Sequence, residues 1–321
     1  MLKDEILKKL SDGEYVSGQT IAEELNVSRS AVWKAINALK SEGYDISGTN
    51  RAGYILRGKD VLSPEELSAC GKAYAEADGI ENPFPSLDVK CFATIDSTNN
   101  EAKRTAIHTG KNTLIAAEEQ TCGRGRSGKS FYSPDKTGAY FTLALHGATD
   151  FSNAVKVTSL AAVAVCRALE KLTGLSPSIK WVNDVYLGDK KVCGILTEAV
   201  TDIECGNVSD IIIGIGINIK TENFPKEIPN AGSIGGGFTR SALISAVVCE
   251  FFSALPSAKD NAHIPYYRAH GYLTGKDIEY FVSGERKVGK ALDIDDNGGL
   301  IVQTPIGNVT LTSGEVTVRK L

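Results

Sequence analysis

Gly123-Arg124-Gly125-Arg126-Ser127-Gly128-Lys129-Ser130 fits three patterns at once: a Walker A phosphate loop, the dinucleotide fingerprint G-x-G-x-x-G, and an arginine-studded glycine loop. The fold depends on which of them holds. The first two need a strand running into the glycines and a helix starting directly after them, because the helix amino terminus supplies N–H groups to a phosphate. The chain continues instead as Phe131-Tyr132-Ser133-Pro134-Asp135-Lys136-Thr137-Gly138. Pro134, its conformationally restricted predecessor Ser133, and Gly138 leave no room for that helix. Asp150 stands near the spacing that the dinucleotide fingerprint asks for, but without the intervening helix there is no βαβ unit. In the third pattern Arg124, Arg126 and Lys129 alternate with residues of little bulk, so cations and bare backbone N–H groups can face one phosphate or carboxylate. Charge-assisted hydrogen bonds of this kind contribute about 1.5 to 3 kcal/mol each. The competing reading is a basic, flexible surface loop.

Outward from the loop, 321 residues predict two or three domains, and the formal charge of -4 argues against a generic polyanion binder. The seven cysteines are odd in number and form no C-x-x-C pair, so neither a disulfide framework nor a protein-held metal is expected, and a reducing cytosol fits. Cys122, beside the loop, reads as a small buried residue rather than a reactive thiol. Met1 to Asp12 lacks the apolar core of a secretion signal, and the longest apolar stretch, around Leu160 to Val165, is too short to span a membrane. A soluble, cytoplasmic protein with no membrane partner is expected.

Residues 1–60 carry three apolar helical faces: Ile6, Leu7 and Leu10; Ile21, Ala22 and Leu25; Val32, Ile36 and Leu39. Ser28 is placed to cap a third helix from Arg29 to Ser41, and a hairpin around Thr49-Asn50-Arg51 would form a wing. The result is a winged helix-turn-helix. Ser28, Arg29, Ser30, Lys34, Asn37 and the wing Arg51 are the candidate DNA contacts. This segment holds nine basic and nine acidic residues. Neutrality predicts weak nonspecific affinity, so that a homodimer would be needed for operator binding; a three-helix protein-interaction module is the alternative.

Ser63-Pro64-Glu65 starts a connecting helix to about Ala77, and Asn82-Pro83-Phe84-Pro85 marks entry to a middle domain of alternating helices and strands. Helices are expected at Thr98 to His108, Asn153 to Leu172 and Thr239 to Ala254. Strands are expected at Leu114 to Glu118, Ala139 to Leu145, Ile179 to Leu187, Lys191 to Glu198 and Ile211 to Ile219. From about Gly275 onward, turn signals at close spacing divide five short strands, the pattern of a small all-β barrel.

The strand Ile211 to Ile219 sets Ile211, Ile213, Ile215, Ile217 and Ile219 on one face and Ile212, Gly214, Gly216 and Asn218 on the other. One face is core and the other is nearly bare, which calls for the close approach of a ligand or of a packed helix. Lys180-Trp181-Val182-Asn183-Asp184 crowds a cation, an amide and a carboxylate into an apolar run, and a turn at Gly188-Asp189-Lys190 would bring Lys191 back toward them. Singly, each charge reads as a solvated strand edge; together with the glycine strand they favour an ATP site.

Asp96-Ser97-Thr98-Asn99, Gln120, the loop from Gly123, the Lys180 segment, Lys191 to Gly194 and Gly214 to Asn218 together resemble the bifunctional biotin-protein ligase and biotin operon repressor family. The resemblance covers the whole chain. It implies a multidomain α+β fold: a winged helix-turn-helix (1–60), a class II aminoacyl-tRNA-synthetase-like mixed sheet with helices (61–272), and an SH3-like β-barrel (273–321). The implied activity has two steps, attack of the biotin carboxylate on the α-phosphate of ATP, with Mg2+, to give biotinyl-5'-AMP, then transfer to a lysine. The acceptor would be a biotin carboxyl carrier protein or domain, of acetyl-CoA carboxylase first and pyruvate carboxylase second; operator DNA and a second copy complete the implied partners, with the adenylate as corepressor.

Carried over by resemblance, Ser97, Thr98, Asn99 and Gln120 meet the biotin head, and Gly123, Arg124, Gly125 and Arg126 close over carboxylate and phosphate. Gly194, Gly214 and Gly216 line the pocket. Lys191, with Arg124 and Arg126, is the catalytic group, neutralising charge at the reacting centres. Lys129, Phe131, Lys180, Asn183, Asp184, Asn218 and Arg319 serve ATP beside Arg126 and Lys191. The chain departs from the family in having Phe131 for a common tryptophan, Val182 for proline, and Lys129 for arginine, which keeps charge but loses the bidentate fork. A one-component transcription factor sensing a small acid without catalysis, and a lipoate ligase on the related core, are the competing functions.

Overall fold

Residues 2–11, 13–41, 43–49, 52–147, 154–201, 208–282, 285–312, 314 and 316–318 are described by a computed structural model. Three helices, α1 (Leu2–Leu10), α2 (Gly18–Glu24) and α3 (Arg29–Ser41), pack under an antiparallel hairpin of β1 (Tyr44–Thr49) and β2 (Gly53–Lys59). Local polar chemistry starts the helices: Ser17 Oγ accepts from Thr20 N at 3.0 Å and Ser28 Oγ from Ala31 N at 3.2 Å. The faces expected from periodicity then bury Ile6, Leu10, Ile21, Val32, Ile36 and Leu39 in one core with Ile46 of the hairpin.

Asp60 to Ser63 leads into α4 (Pro64–Asp78), capped by Ser63 Oγ, which accepts from Glu66 N at 3.1 Å, and closed by Gly79 at φ 65°. The middle unit is a seven-stranded sheet. Its strands are β3 (Asp88–Ile95), β4 (Thr113–Gln120), β5 (Gly138–His146), β6 (Ser178–Lys180), β7 (Asp184–Leu187), β8 (Lys190–Thr201) and β9 (Val208–Asn218). They run in the order β3-β4-β5-β9-β8-β7-β6, parallel between β3 and β4 and antiparallel elsewhere.

Two features differ from expectation. The edge strand β3 carries no strong alternation and was not expected. The single strand expected from Ile179 to Leu187 is instead a hairpin of β6 and β7, because Trp181 and Val182 leave the sheet to be buried; Trp181 Nε1 donates to Gly298 O at 2.9 Å in the carboxy-terminal unit.

The isoleucine face of β9 lies under α6 (Ala154–Thr173), and α7 (Arg240–Ala254) covers the neighbouring β5, all within the largest apolar cluster. Fully burying each such side chain stabilises the fold by about 1.5 to 3 kcal/mol. Residues Arg240–Asp260, 21 in number, would by length and composition suffice to cross a membrane, a longer apolar stretch than the one around Leu160; here α7 is packed against α4, α6 and β5. On the opposite face α5 (Thr98–Thr109) covers Ile212 with Ala102, Ile115 and Ala144, leaving the rest of that face for the site.

After α8 (Ile264–Ala269), five antiparallel strands form the SH3-like unit: β10 (Asp277–Val282), β11 (Glu285–Ile294), β12 (Leu300–Thr304), β13 (Gly307–Leu311) and β14 (Val316–Val318), ordered β13-β12-β11-β10-β14. Ile278, Tyr280, Ala291, Leu300 and Val302 join the same apolar cluster as the middle unit.

Candidate active site

A cavity of about 530 Å³ opens on the α5 face of the sheet. It is walled by the start of α5, the end of β4, the glycine-arginine loop, the β6–β7 turn, the β8 and β9 strands, and Gly314, Val316 and Thr317 of the SH3-like unit. Its floor is polar. Gln120 Oε1 accepts from Thr98 N at 2.9 Å, and Gln120 Nε2 donates to Ser133 Oγ at 2.9 Å. Thr142 Oγ1 lies 2.8 Å from Thr98 Oγ1 and donates to Asn99 Oδ1 at 2.7 Å.

The bare side of β9 turns out to serve both purposes that its sequence allowed. A Cβ at Gly214 would lie 2.0 Å from Asn99 Oδ1, and one at Gly216 would lie 2.4 Å from the Phe131 ring. The glycines therefore admit Asn99 of α5 and Phe131 of the loop, and these, with Gly214 and Gly216, form the cavity wall.

No helix follows the glycine loop. Phe131 N donates to Gly123 O at 2.8 Å and Gly125 N to Lys129 O at 2.7 Å, folding the segment back on itself around Ser127, at φ 54°. Gly123 is a close-approach position, since its Cβ would lie 2.3 Å from Phe131 O, and it does not line the cavity. Arg124 Nη1 donates to Asn100 Oδ1 at 3.0 Å. Arg126 Nη1 donates to Asn183 Oδ1 at 3.0 Å and Nη2 to Gly314 O at 3.3 Å, tying the loop to two other elements.

The β7–β8 hairpin returns Lys191 as expected, with Nζ 2.7 Å from Asp184 Oδ1. Lys180, Asn183 and Asp184 line the same cavity with Arg124, Gly125, Arg126 and Lys129. Asn218 does not; it lines a second cavity of about 240 Å³ shared with Phe131 and Lys191 and walled by Tyr132, Tyr186 and Phe224. The two cavities thus meet at Phe131 and Lys191. Such an arrangement can hold two ligands end to end, with cations at the junction of their reacting groups.

Residues 91–218 match the biotin/lipoate A/B protein ligase family, residues 3–55 an HTH domain, and residues 278–319 the biotin protein ligase C-terminal domain. The chain is 30% identical over 314 residues to the bifunctional ligase/repressor BirA of Bacillus spizizenii, covering 94% of each protein. It belongs to the bifunctional biotin ligase/repressor family. It is also 26% identical over 322 residues to the Escherichia coli bifunctional ligase/repressor BirA, covering 98% of this chain and 96% of that one. Among solved structures, biotin protein ligase from Aquifex aeolicus in complex with biotin and ATP is 26% identical with a TM-score of 0.63, over 73% of this chain and 99% of that one.

Within this ligase/repressor chain, the middle unit brings most of the residues expected to meet biotin and ATP to the first cavity, with Gly123 behind the loop and Asn218 in the second cavity. Arg51 and Arg319 lie outside the described residues. Cys122 is exposed rather than buried, because it sits at the turn out of β4. Among the described residues no three His, Cys, Asp or Glu side chains converge as a metal site.

Sequence reading missed Glu198, whose Oε1 accepts from Lys103 Nζ at 2.8 Å and lies 3.2 Å from Arg124 Nη2. Its period-two spacing from Gly194 and Leu196 on β8 was the available signal. It also missed Trp181, Glu227, Ile228 and the SH3-like residues at 314, 316 and 317, which reach the cavity only through chain folding. On α3, Arg29, Ser30 and Lys34 are exposed with Ser28 just before them, and Asn37 is half-buried. Trp33, 57% exposed on that same face, was overlooked as well.

Proposed function

We propose that the chain joins biotin to ATP as biotinyl-5'-AMP and passes the biotinyl group to a lysine of a biotin carboxyl carrier domain, and that the adenylate-bound chain dimerises on operator DNA. The carrying observation is the convergence of the Thr98–Gln120–Asn99 floor, the arginine loop and the Lys191–Asp184 pair on one cavity. Ser97, Thr98, Asn99, Gln120, Gly194, Gly214 and Gly216 would hold the bicyclic head, with Arg124, Gly125 and Arg126 over the carboxylate and Gly123 shaping the loop behind them. Arg126, Lys129, Lys180, Asn183 and Asp184 would surround the triphosphate, and Phe131 and Asn218 the adenine in the second cavity; Arg319 is carried over on family grounds.

A biotin carboxylate oxygen attacks the α-phosphorus and pyrophosphate leaves; the carrier amine then attacks the acyl carbon, an amide forms, and AMP leaves with the amine losing a proton. The carboxylate is already a nucleophile, so the first step needs no protein base. Lys191, at the junction of both cavities, is placed to neutralise the negative charge shared by the reacting oxygens, and Asp184 orients it. Mg2+ would arrive with the nucleotide, held by phosphate oxygens and water.

The division 1–60, 61–272 and 273–321 into DNA-binding, ligase and SH3-like units is proposed with it, as are a carrier domain of acetyl-CoA carboxylase or pyruvate carboxylase and a cytoplasmic site of action, which the unpaired described cysteines suit. Ser28, Arg29, Ser30, Lys34, Asn37 and Arg51 would face DNA.

The test is biotin-dependent exchange of pyrophosphate into ATP, run with lipoate as the competing acid. Lys191→Ala should lower the exchange rate by about 10²- to 10³-fold, as loss of one electrostatic donor does elsewhere. A Lys191→Ala protein that exchanges like wild type would remove the catalytic reading in favour of a ligand sensor.

A further inference from the structure

Glu198 has no part in the roles assigned above, yet it touches two residues that do. Its side chain is 19% exposed on the cavity side of β8, where Oε2 accepts from Asn99 Nδ2 at 3.0 Å while Oε1 takes Lys103 and Arg124. A carboxylate only accepts, so Asn99 must turn its NH2 toward Glu198, with Leu196 O as a second and longer acceptor at 3.4 Å, and its oxygen the other way; without the charged acceptor the two amide orientations are nearly isosteric. Thr142 Oγ1 has one proton, and Asn99 Oδ1 at 2.7 Å, itself a pure acceptor, takes it. Thr98 Oγ1, 2.8 Å from Thr142 Oγ1, donates its own single proton to Gln120 Oε1, another pure acceptor, at 3.1 Å. The lone pairs of Thr98 Oγ1 are left for an N–H donor from the cavity, and a cyclic urea carries two such groups. From Thr98 the contacts run on through Gln120 to Ser133 Oγ, which donates to Phe131 O at 3.0 Å. One carboxylate therefore anchors a chain of polar contacts that begins at Arg124 and ends at Phe131, the two sides of the glycine-arginine loop, after passing beneath the pocket.

We propose that Glu198 is a positioning residue for biotin, fixing the donor and acceptor directions of the pocket through Asn99 and holding Arg124 at its rim. This rests on the ligase reading above. Charged hydrogen bonds exceed neutral ones by enough that Glu198→Gln, isosteric but able to offer Asn99 an NH2 as readily as an oxygen, should raise the biotin KM by about five- to tenfold. The KM for ATP should stay within about twofold and kcat of exchange within about threefold, a split that general loosening of the domain would not produce. In an Asn99→Ala background, Glu198→Gln should add less than about twofold.

Lys103→Met is the control: Lys103 does not line the cavity, and removing it should leave the biotin KM within about twofold. Glu198→Asp, which withdraws the charge by one methylene, serves with the same expected split should the Gln variant fail to fold. An unchanged biotin KM in Glu198→Gln, an undiminished effect in the Asn99→Ala background, or a Lys103→Met protein that reproduces it would each overturn the proposal. A wild-type chain without biotin-dependent exchange would instead remove the ligase reading, so the two failures are told apart by the wild-type arm.

Discussion

His263 is 2% exposed, with Nε2 2.8 Å from Ser159 Oγ and Nδ1 without a hydrogen-bond partner among the described residues. Burial, and then repulsion from Lys156 and Arg167, pull its pKa from 6.5 down to about 4. The folded state therefore resists the proton that the unfolded chain accepts. The stability tied to the neutral ring is complete above pH 6.5, falls as pH drops toward 4, and levels off below it; the full change is worth about 3 kcal/mol by linkage. Urea midpoints measured across that window should decline in wild type and decline less in His263→Gln, and parallel curves for the two proteins would contradict it. At this same scale the sequence was most readable where one residue type has few uses. Gly214 and Gly216 announced a close approach, and the structure names what approaches, Asn99 and Phe131. His263 gave no such sign, because a lone histidine in the turn before a helix acquires its shifted pKa only from neighbours folded around it.

α3 is the element whose chemistry is most one-sided. Its Arg29, Lys34 and Lys40 are accompanied by no acidic residue, although the first sixty residues as a whole are neutral. The acidic groups lie elsewhere, so neutrality of the segment conceals a basic helix. Exposed Trp33, between Arg29 and Lys34, adds an apolar surface suited to a thymine methyl group. With a duplex selected by the wild-type chain from a random library, Trp33→Ala should weaken binding about tenfold at constant salt slope, whereas Lys34→Ala should reduce the slope by about one. Equal affinity of Trp33→Ala and wild type across the salt series would exclude Trp33 from the interface. Elements with a strong local period (α1, α3, α6, β9) were legible in sequence. β3 and the β6–β7 hairpin were not: the first is a half-exposed edge, and the second is bent because Trp181 is drawn to Gly298.

Across the whole molecule two seams join the units. Arg240, 2% exposed at the start of α7, donates to Asp60 Oδ1 from its backbone N at 2.7 Å and from Nε at 3.0 Å, and to Asp60 O from Nη2 at 2.7 Å; Nη2 also lies 3.6 Å from Glu118 Oε1 on β4. The segment leading from the winged helix is thereby clamped to a strand that ends at Gln120. Removing one partner of a buried pair costs about 3 to 5 kcal/mol locally, so Arg240→Met should speed proteolytic cleavage near residues 57–63 by at least about tenfold while biotin-dependent exchange stays within about threefold. Unchanged cleavage would show that the clamp is not what holds the winged helix in place. At the second seam Arg126 of the loop reaches Gly314 O. What the sequence alone determined was local: caps, apolar periods, the glycines of β9, and the impossibility of a helix after Ser130, each decided by residues within a few positions of one another. What only the tertiary structure decided are the pairings of Glu198 with Asn99 and Arg124, of Arg240 with Asp60, and of the loop with the SH3-like unit. Their partners lie 99, 180 and 188 residues apart for Asn99, Asp60 and Gly314, and a charge carries no mark in the sequence of which distant partner will share its burial.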